Sequence, residues 1–289
     1  MTSLQSFKNW ILKSTLYLLP KNMISCLMGK LVSLRFSPWF VHKQIHFFAN
    51  HFGINWDDVK NSIDQFPSLQ SFFIRELKKE NRPIDVNEKA IVSPCDGSYG
   101  QSGLIYEGEL LQVKGKSYTA ASLLGDAHLA AQFEGGSFAT LYLSPRDYHR
   151  FHSPFSAQVL EAIYLPGHLW PVNPWAVNNV SQLFCVNERL VIALALLGEG
   201  TPAALMVAVG ATMVGKVRVR FDEKLTTNAC SKKKIRRNYC EKTFLKGEEL
   251  GLFEFGSTIV LLVHPKAGRL DLKPLHTEIK MGQSIGDLL

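Results

Sequence analysis

From about Lys89 onward the chain reads as short β-rich runs separated by glycines, and this pattern constrains the fold more than any other feature. The runs cover residues 90–92, 110–113, 138–143, 190–196, 204–209, 214–221 and 258–263. Short strands at this spacing predict an antiparallel sandwich or barrel. The texture ahead of them differs. Residues 1–56 hold no Asp or Glu, but they carry Lys8, Lys13, Lys21, Lys30, Arg35 and Lys43 among Trp10, Tyr17, Trp39 and several Phe and Leu. The expected class is α+β, with basic amphipathic helices over residues 1–84 followed by a β-rich, sandwich- or barrel-like domain over 85–289. A 46% apolar composition excludes a disordered chain.

At 100° per residue Leu4, Phe7, Ile11 and Leu18 share one helical face, with Gln5, Asn9 and Lys13 opposite. Pro20 stops or bends that helix. Basic charge with interfacial aromatics suits a segment lying in a membrane surface. Each cation near an anionic leaflet contributes roughly 1 kcal/mol at most, enough together with apolar insertion for reversible attachment. The competing readings are a helix packed on a core with solvated cations, and a signal peptide. Against the latter, charges interrupt any apolar h-region and no A-x-A site is evident. No run of 18 or more predominantly apolar residues is present, so a bilayer-spanning helix is not expected. Residues 57–80 read as helical, with Ser68 as N-cap of a stretch ending at Leu77 and Lys78. Residues 222–242, with Lys232-Lys233-Lys234 and Arg236-Arg237, read as a mobile basic loop, either solvated or lipid-facing.

The net charge of +7 makes a polyanion or an anionic surface a plausible partner. No recognition-helix, RNP or zinc-finger pattern accompanies it, so nucleic acid is not expected. Cys26, Cys95, Cys185, Cys230 and Cys240 are scattered, with no CxxC pair. They argue against a disulfide scaffold or a thiolate metal site and for a reducing compartment. Cys95 reads as buried filler.

Three segments concentrate reactive side chains. Ser93-Pro94-Cys95-Asp96-Gly97-Ser98 places an acid at a turn, where Asp-Gly is also ordinary turn chemistry. The run from Leu141 to Pro154 holds His149 and His152 directly after an apolar strand. An acid–base role needs an orienting carboxylate and a nucleophile, a metal role needs further ligands, and turn hydrogen bonds alone would also account for them. Glu254-Phe255-Gly256-Ser257-Thr258 precedes another apolar strand and does not match the G-x-S-x-G elbow. Its serine could instead attack the Gly256 carbonyl, which no Cβ obstructs.

Taken together, in this order, these segments resemble those of the bacterial phosphatidylserine decarboxylases, pyruvoyl-dependent enzymes made as proenzymes. The likeness extends over nearly the whole chain. It includes Phe72-Phe73-Ile74-Arg75, Arg82-Pro83-Ile84, Gln112-Val113-Lys114-Gly115, Ser144-Pro145-Arg146-Asp147-Tyr148-His149-Arg150, Tyr164-Leu165-Pro166-Gly167, Asn187-Glu188-Arg189 and residues 209–215. Phe255 departs from it, since the family's processing motif usually has Leu before Gly-Ser-Thr. Altered packing with retained processing is expected.

The resemblance implies a relay of Asp96, His152 and Ser257, with the logic of a serine-protease triad. It implies self-cleavage between Gly256 and Ser257 into chains 1–256 (beta) and 257–289 (alpha), and conversion of Ser257 into a pyruvoyl group. That ketone would form a Schiff base with phosphatidylserine and act as electron sink while carbon dioxide leaves, the part pyridoxal phosphate plays elsewhere. Neither a metal nor pyridoxal phosphate is expected. His149 is the candidate for handling the substrate carboxylate or returning the proton. The two chains would stay together, a homodimer of that unit is suggested, and attachment would be peripheral, at the cytoplasmic face of the bacterial membrane. A conventional serine hydrolase and a non-enzymatic membrane-binding module are the alternatives; both would leave the chain intact.

Overall fold

The computed structural model describes residues 14–16, 19–113, 116–212, 216–227, 233–254 and 257–289. Leu4, Phe7, Ile11 and Leu18, the face expected of the first helix, lie outside them, as do Cys230, Phe255 and Gly256. Pro20 is the N-cap of a helix at Lys21–Ser33, and Pro38 opens a second at Pro38–Phe52, where its missing N–H has no partner to lose. Gly53 closes the second helix in the left-handed region, at φ 71°. Val41, Ile45 and Ala49, each four residues apart, bury one face of this helix against Val59, Phe66 and Phe72.

Ser68 is an N-cap as expected, accepting the Ser71 N–H at 3.2 Å. The helix it opens is Leu69–Phe73 and does not reach Leu77. The chain turns away there because the Ile74 carbonyl is taken by Arg150 and the Arg75 side chain runs inward. Residues 56–58 and 63–65 are single 3₁₀ turns where a longer helix was expected.

Among the described residues all ladders of the sheets are antiparallel, and the largest sheet has nine strands. In spatial order these are Ile235–Asn238, Ala157–Leu165, Arg189–Leu196, Ala204–Gly210, Ser257–Val263, Ser137–Leu143, Gly97–Leu104 and Glu278–Ile279; Thr243–Phe244 also pairs with Ala157–Leu165. The α+β class stands, but among the described residues the sheet is open and is not a closed barrel. One edge is the two-residue strand Glu278–Ile279. The other carries Arg236 and Arg237, paired with Asp126 and Glu161 and with Asp222. A short strand and a charged strand are ordinary ways to end a sheet. The second of these also corrects the mobile-loop expectation for its described part, because Ile235–Asn238 is a strand in register with Glu161–Tyr164, while residues 228–232, Lys232 among them, lie outside the described residues.

The large sheet is covered on both faces. Tyr99, Leu141, Met206, Ile259 and Leu261 meet two three-stranded sheets through Phe151, Val217, Phe253, Ile91 and Ile285. On the reverse face Phe138, Val207, Val260 and Leu262 meet the helices Ala120–Leu124, Ala127–Gln132, Pro174–Asn179 and Leu183–Val186. Two covered faces explain why the central strands read as continuous apolar runs and not as alternation. Ser257–Val263 sits in the middle, fully buried, between Ser137–Leu143 and Ala204–Gly210. Burying each of its five aliphatic side chains stabilises by about 1.5–3 kcal/mol. Among the described residues no helix is long and apolar enough to cross a membrane.

Candidate active site

Ser257 is the first residue of that central strand, in register with Leu143 on one side and Gly210 on the other. It is wholly buried, and its Oγ has no hydrogen-bond partner among the described residues. A buried hydroxyl without a partner costs about 1–3 kcal/mol, which marks the position as one the fold does not need for stability.

Leu143 leads into the turn Ser144-Pro145-Arg146-Asp147. Its Asp147 N–H donates to the Ser144 carbonyl at 2.9 Å. The Asp147 carboxylate accepts the Ser144 N–H at 2.7 Å and its hydroxyl at 2.8 Å. Burial nonetheless raises the Asp147 pKa. The turn delivers His149 and His152 to opposite ends of a strand edge. Phe253 donates its N–H to the His149 carbonyl at 2.8 Å, whereas His152 is paired with Glu249.

Both imidazoles are held the same way. His149 Nδ1 lies 2.8 Å from the Asp147 carbonyl, and His152 Nδ1 lies 2.9 Å from the Gly247 carbonyl. A carbonyl only accepts, so each Nδ1 carries the proton and each Nε2 presents a lone pair. The Tyr148 hydroxyl donates to His152 Nε2 at 3.3 Å, while His149 Nε2 has no partner among the described residues. His149 is fully buried, with the Phe73 ring 4.1 Å away. Burial pulls its pKa down to about 3, and the Arg75 charge adds to the effect. Burial lowers His152 as well.

His149 binds a proton more readily unfolded, near 6.5, than folded, near 3. The stability this contributes is complete above the unfolded value and is lost as pH falls toward the folded one. A loss of roughly 3 kcal/mol is expected by pH 4.5, at 1.36 kcal/mol per pKa unit. Urea denaturation of wild type and His149→Gln across this range checks it, since the substitution flattens the decline.

Asp96 sits elsewhere in the hydrogen-bond network than a triad would place it. Its carboxylate accepts from Arg82 Nε at 2.8 and 3.0 Å, from Arg82 Nη2 at 2.5 Å and from the Met281 N–H at 2.9 Å. Gly97 follows at φ 154°, where a Cβ would fall 2.4 Å from the Tyr142 carbonyl oxygen; only glycine fits there. Asp96 makes no hydrogen bond to His152 among the described residues. Pro94, two residues away, accepts the His152 N–H at 2.8 Å, and the Asp96 charge favours the His152 imidazolium through space.

No hydrogen bond among the described residues joins Asp96, His152 and Ser257 to one another. The His152 ring is oriented by Gly247 and Tyr148. His152, Tyr148, Arg82 and Met281 line a cleft of about 890 Å³. A separate cavity of about 290 Å³ opens beside Thr258, on the helical face, between Tyr142, Thr140, Val172 and Phe184. Among the described residues no cluster of three or more His, Cys, Asp or Glu could hold a metal. Cys95 is buried in the core.

The sequence profile of phosphatidylserine decarboxylase matches residues 69–287. The chain belongs to the phosphatidylserine decarboxylase family. A phosphatidylserine decarboxylase proenzyme of Myxococcus xanthus (strain DK1622) is 40% identical over 271 residues, 93% of this chain and 95% of its own length. One from Anaeromyxobacter sp. (strain K) is 42% identical over 279 residues, 94% and 96%. One from Nitrosococcus oceani is 39% identical over 288 residues, 98% and 92%.

Reading the sequence for decarboxylase chemistry left four parts of this site without a role. These are Arg82 on Asp96, Arg75 beside His149, Tyr148 on His152 and the Gly247 carbonyl. The first three stand in the motifs Arg82-Pro83-Ile84, Phe72-Phe73-Ile74-Arg75 and Ser144-Pro145-Arg146-Asp147-Tyr148-His149-Arg150, and that was the available signal. A backbone carbonyl leaves none.

Proposed function

We propose that this chain is a self-maturing decarboxylase that converts phosphatidylserine to phosphatidylethanolamine with a pyruvoyl group made from its own Ser257. The observation that carries the reading is the Ser257 hydroxyl, buried, without a partner among the described residues and directly after Gly256 in sequence. His152 Nε2, whose lone pair accepts the Tyr148 hydroxyl in the structure, would exchange that partner for the Ser257 hydroxyl and take its proton, and the nearby Asp96 charge would stabilise the imidazolium. The Oγ attacks the Gly256 carbonyl, the peptide becomes an ester, and elimination releases the 1–256 chain. Hydrolysis of the remaining dehydroalanine yields the ketone and ammonia.

Once formed, the ketone would supply an electrophile for the substrate amine and a sink for the electrons left when carbon dioxide departs. Its surroundings suit that chemistry. Residue 257 opens a rigid central strand walled from water, and His149 Nε2 is available to exchange a proton. Intact-mass spectrometry of freshly purified protein tests the scheme. Chains 1–256 and 257–289 are expected, the second with no free amine at its start. Active decarboxylase with one uncut mass would overturn it. On native sizing the two pieces should run as one particle, because the 33-residue piece, 257–289, supplies the sheet's central strand and is too short to hold a core alone.

The N-terminal helices fit attachment to the membrane that holds such a substrate. Met23, Leu27, Leu31 and Leu34 form an exposed apolar stripe at helical spacing, continued by Phe36, Trp39, Phe40 and Phe47. Lys30, Arg35 and Lys43 accompany it, with Lys43 Nζ 4.0 Å from the centre of the Trp39 ring. This is the mixture of apolar, aromatic and basic groups that a headgroup layer accepts. The free thiols of Cys26, Cys95, Cys185 and Cys240 support the cytoplasmic face. Replacing Leu27, Leu31 and Trp39 together by Ser should weaken binding to sedimented anionic liposomes by at least about 100-fold, at roughly 1 kcal/mol or more per inserted side chain. Unchanged binding would remove these helices from the attachment.

A further inference from the structure

Phe72-Phe73-Ile74-Arg75 belongs to a stretch whose chemistry the proposed function does not use, yet in the structure it reaches directly into the histidine loop. The Phe73 ring packs on His149. The Ile74 carbonyl accepts from Arg150 Nε at 3.0 Å and Nη2 at 2.8 Å. Arg75 Nη2 donates to the Arg146 carbonyl at 2.6 Å and reaches the Asp147 carbonyl at 3.3 Å. That second oxygen is the one that receives the proton on His149 Nδ1. A carbonyl oxygen has two lone pairs and can accept both donors.

We propose that Arg75 is a positioning residue for His149, locking the turn carbonyl that fixes the imidazole as its Nδ1–H tautomer and leaves Nε2 as the proton acceptor. The proposal rests on the decarboxylase reading for its kinetic consequence only; the tautomer is a property of the folded protein. Three features support it. Arg75 is 4% exposed, it shares the Asp147 carbonyl with His149, and its charge opposes a second proton on that ring. Two backbone carbonyls are its only hydrogen-bond acceptors among the described residues, and both belong to the loop that carries His149. A buried guanidinium without a carboxylate partner is an expensive way to hold a loop, and an apolar side chain would pack there at lower cost.

The rival role is substrate binding. Arg75 Nε and Nη1 have no partner among the described residues and could meet an anionic group, a carboxylate or a phosphate. Steady-state kinetics separates the two roles. Arg75→Met should self-cleave and decarboxylate phosphatidylserine with kcat lowered about 10-fold to 100-fold, a part of the 10²–10⁴ that a placed acid–base group contributes. KM should stay within about twofold. Arg75→Lys, which can still donate to both carbonyls, should recover most of kcat, and it carries the test if the Met variant does not fold.

Nitrogen-15 spectra of histidine-labelled protein, with the His149 signals assigned by their loss in His149→Gln, give the second readout. Wild type should show protonated Nδ1 and bare Nε2 at neutral pH, and Arg75→Met should show a tautomer mixture. A folded Met variant with unaltered tautomer and kcat would overturn the proposal. So would a raised KM at unchanged kcat, which would make Arg75 an anion-binding residue. Absence of decarboxylation in wild type would instead count against the functional reading, and the spectra would still decide the tautomer.

Discussion

Ser257→Ala is expected to remain a single chain of 289 residues, to lose decarboxylation entirely and to fold as well as the parent. The first two outcomes have one cause. The hydroxyl oxygen is both the nucleophile that converts the Gly256 peptide to an ester and the leaving group that creates the double bond on residue 257. Without it there is no scission and no ketone. The loss is the whole acceleration, at least about 10⁶-fold for an enzyme of ordinary proficiency. A partly impaired serine-hydrolase triad would behave differently, since binding and oxyanion stabilisation leave a residual rate.

The third outcome makes the experiment clean. Ser257 Oγ is buried and makes no hydrogen bond with any described residue. Removing an unsatisfied buried hydroxyl is neutral or stabilising, by as much as about 1 kcal/mol. The thermal midpoint of the variant should therefore equal or exceed that of uncleaved wild type. Cleavage at the same bond in Ser257→Ala, detected as a 33-residue fragment by mass, would refute the scheme outright.

The central strands were legible in the sequence because the sheet is buried on both faces there, whereas Gly97–Leu104 and Ala157–Leu165, half-buried along part of their length, were not among the runs read. Runs such as 190–196, 204–209 and 258–263 differ from the observed Arg189–Leu196, Ala204–Gly210 and Ser257–Val263 by a residue at one end. The Ser68 cap was legible because its partner is three residues away. What was not legible is carried by long-range polar contacts. The helix after Ser68 stops early because Arg75 and Ile74 bond to a loop about 70 residues ahead. The open edge depends on Arg236 finding Asp126. The resemblance pointed to Asp96, His149, His152 and Ser257, and the structure shows the two histidines held by carbonyls and Asp96 held by Arg82.

That last pair should dominate the site's stability. Arg82 is buried, and it grips Asp96 through Nε and Nη2 while also reaching Asp58 at 3.3 Å. Burial opposes the Arg82 charge, but the two carboxylates outweigh it and its pKa lies above the ordinary value. Arg82→Met leaves the Asp96 carboxylate with the Met281 N–H as its remaining donor. An uncompensated buried charge of this kind costs about 3–5 kcal/mol, or roughly 10 °C in Tm at this chain length. Adding Asp96→Asn removes the charge that has no partner, so the double variant should regain about half of the loss. A double variant no more stable than Arg82→Met would mean that the ion pair contributes nothing of its own and that Arg82 acts through its packing. A recovery as expected would show that the loss in Arg82→Met comes from the Asp96 charge left without its partner.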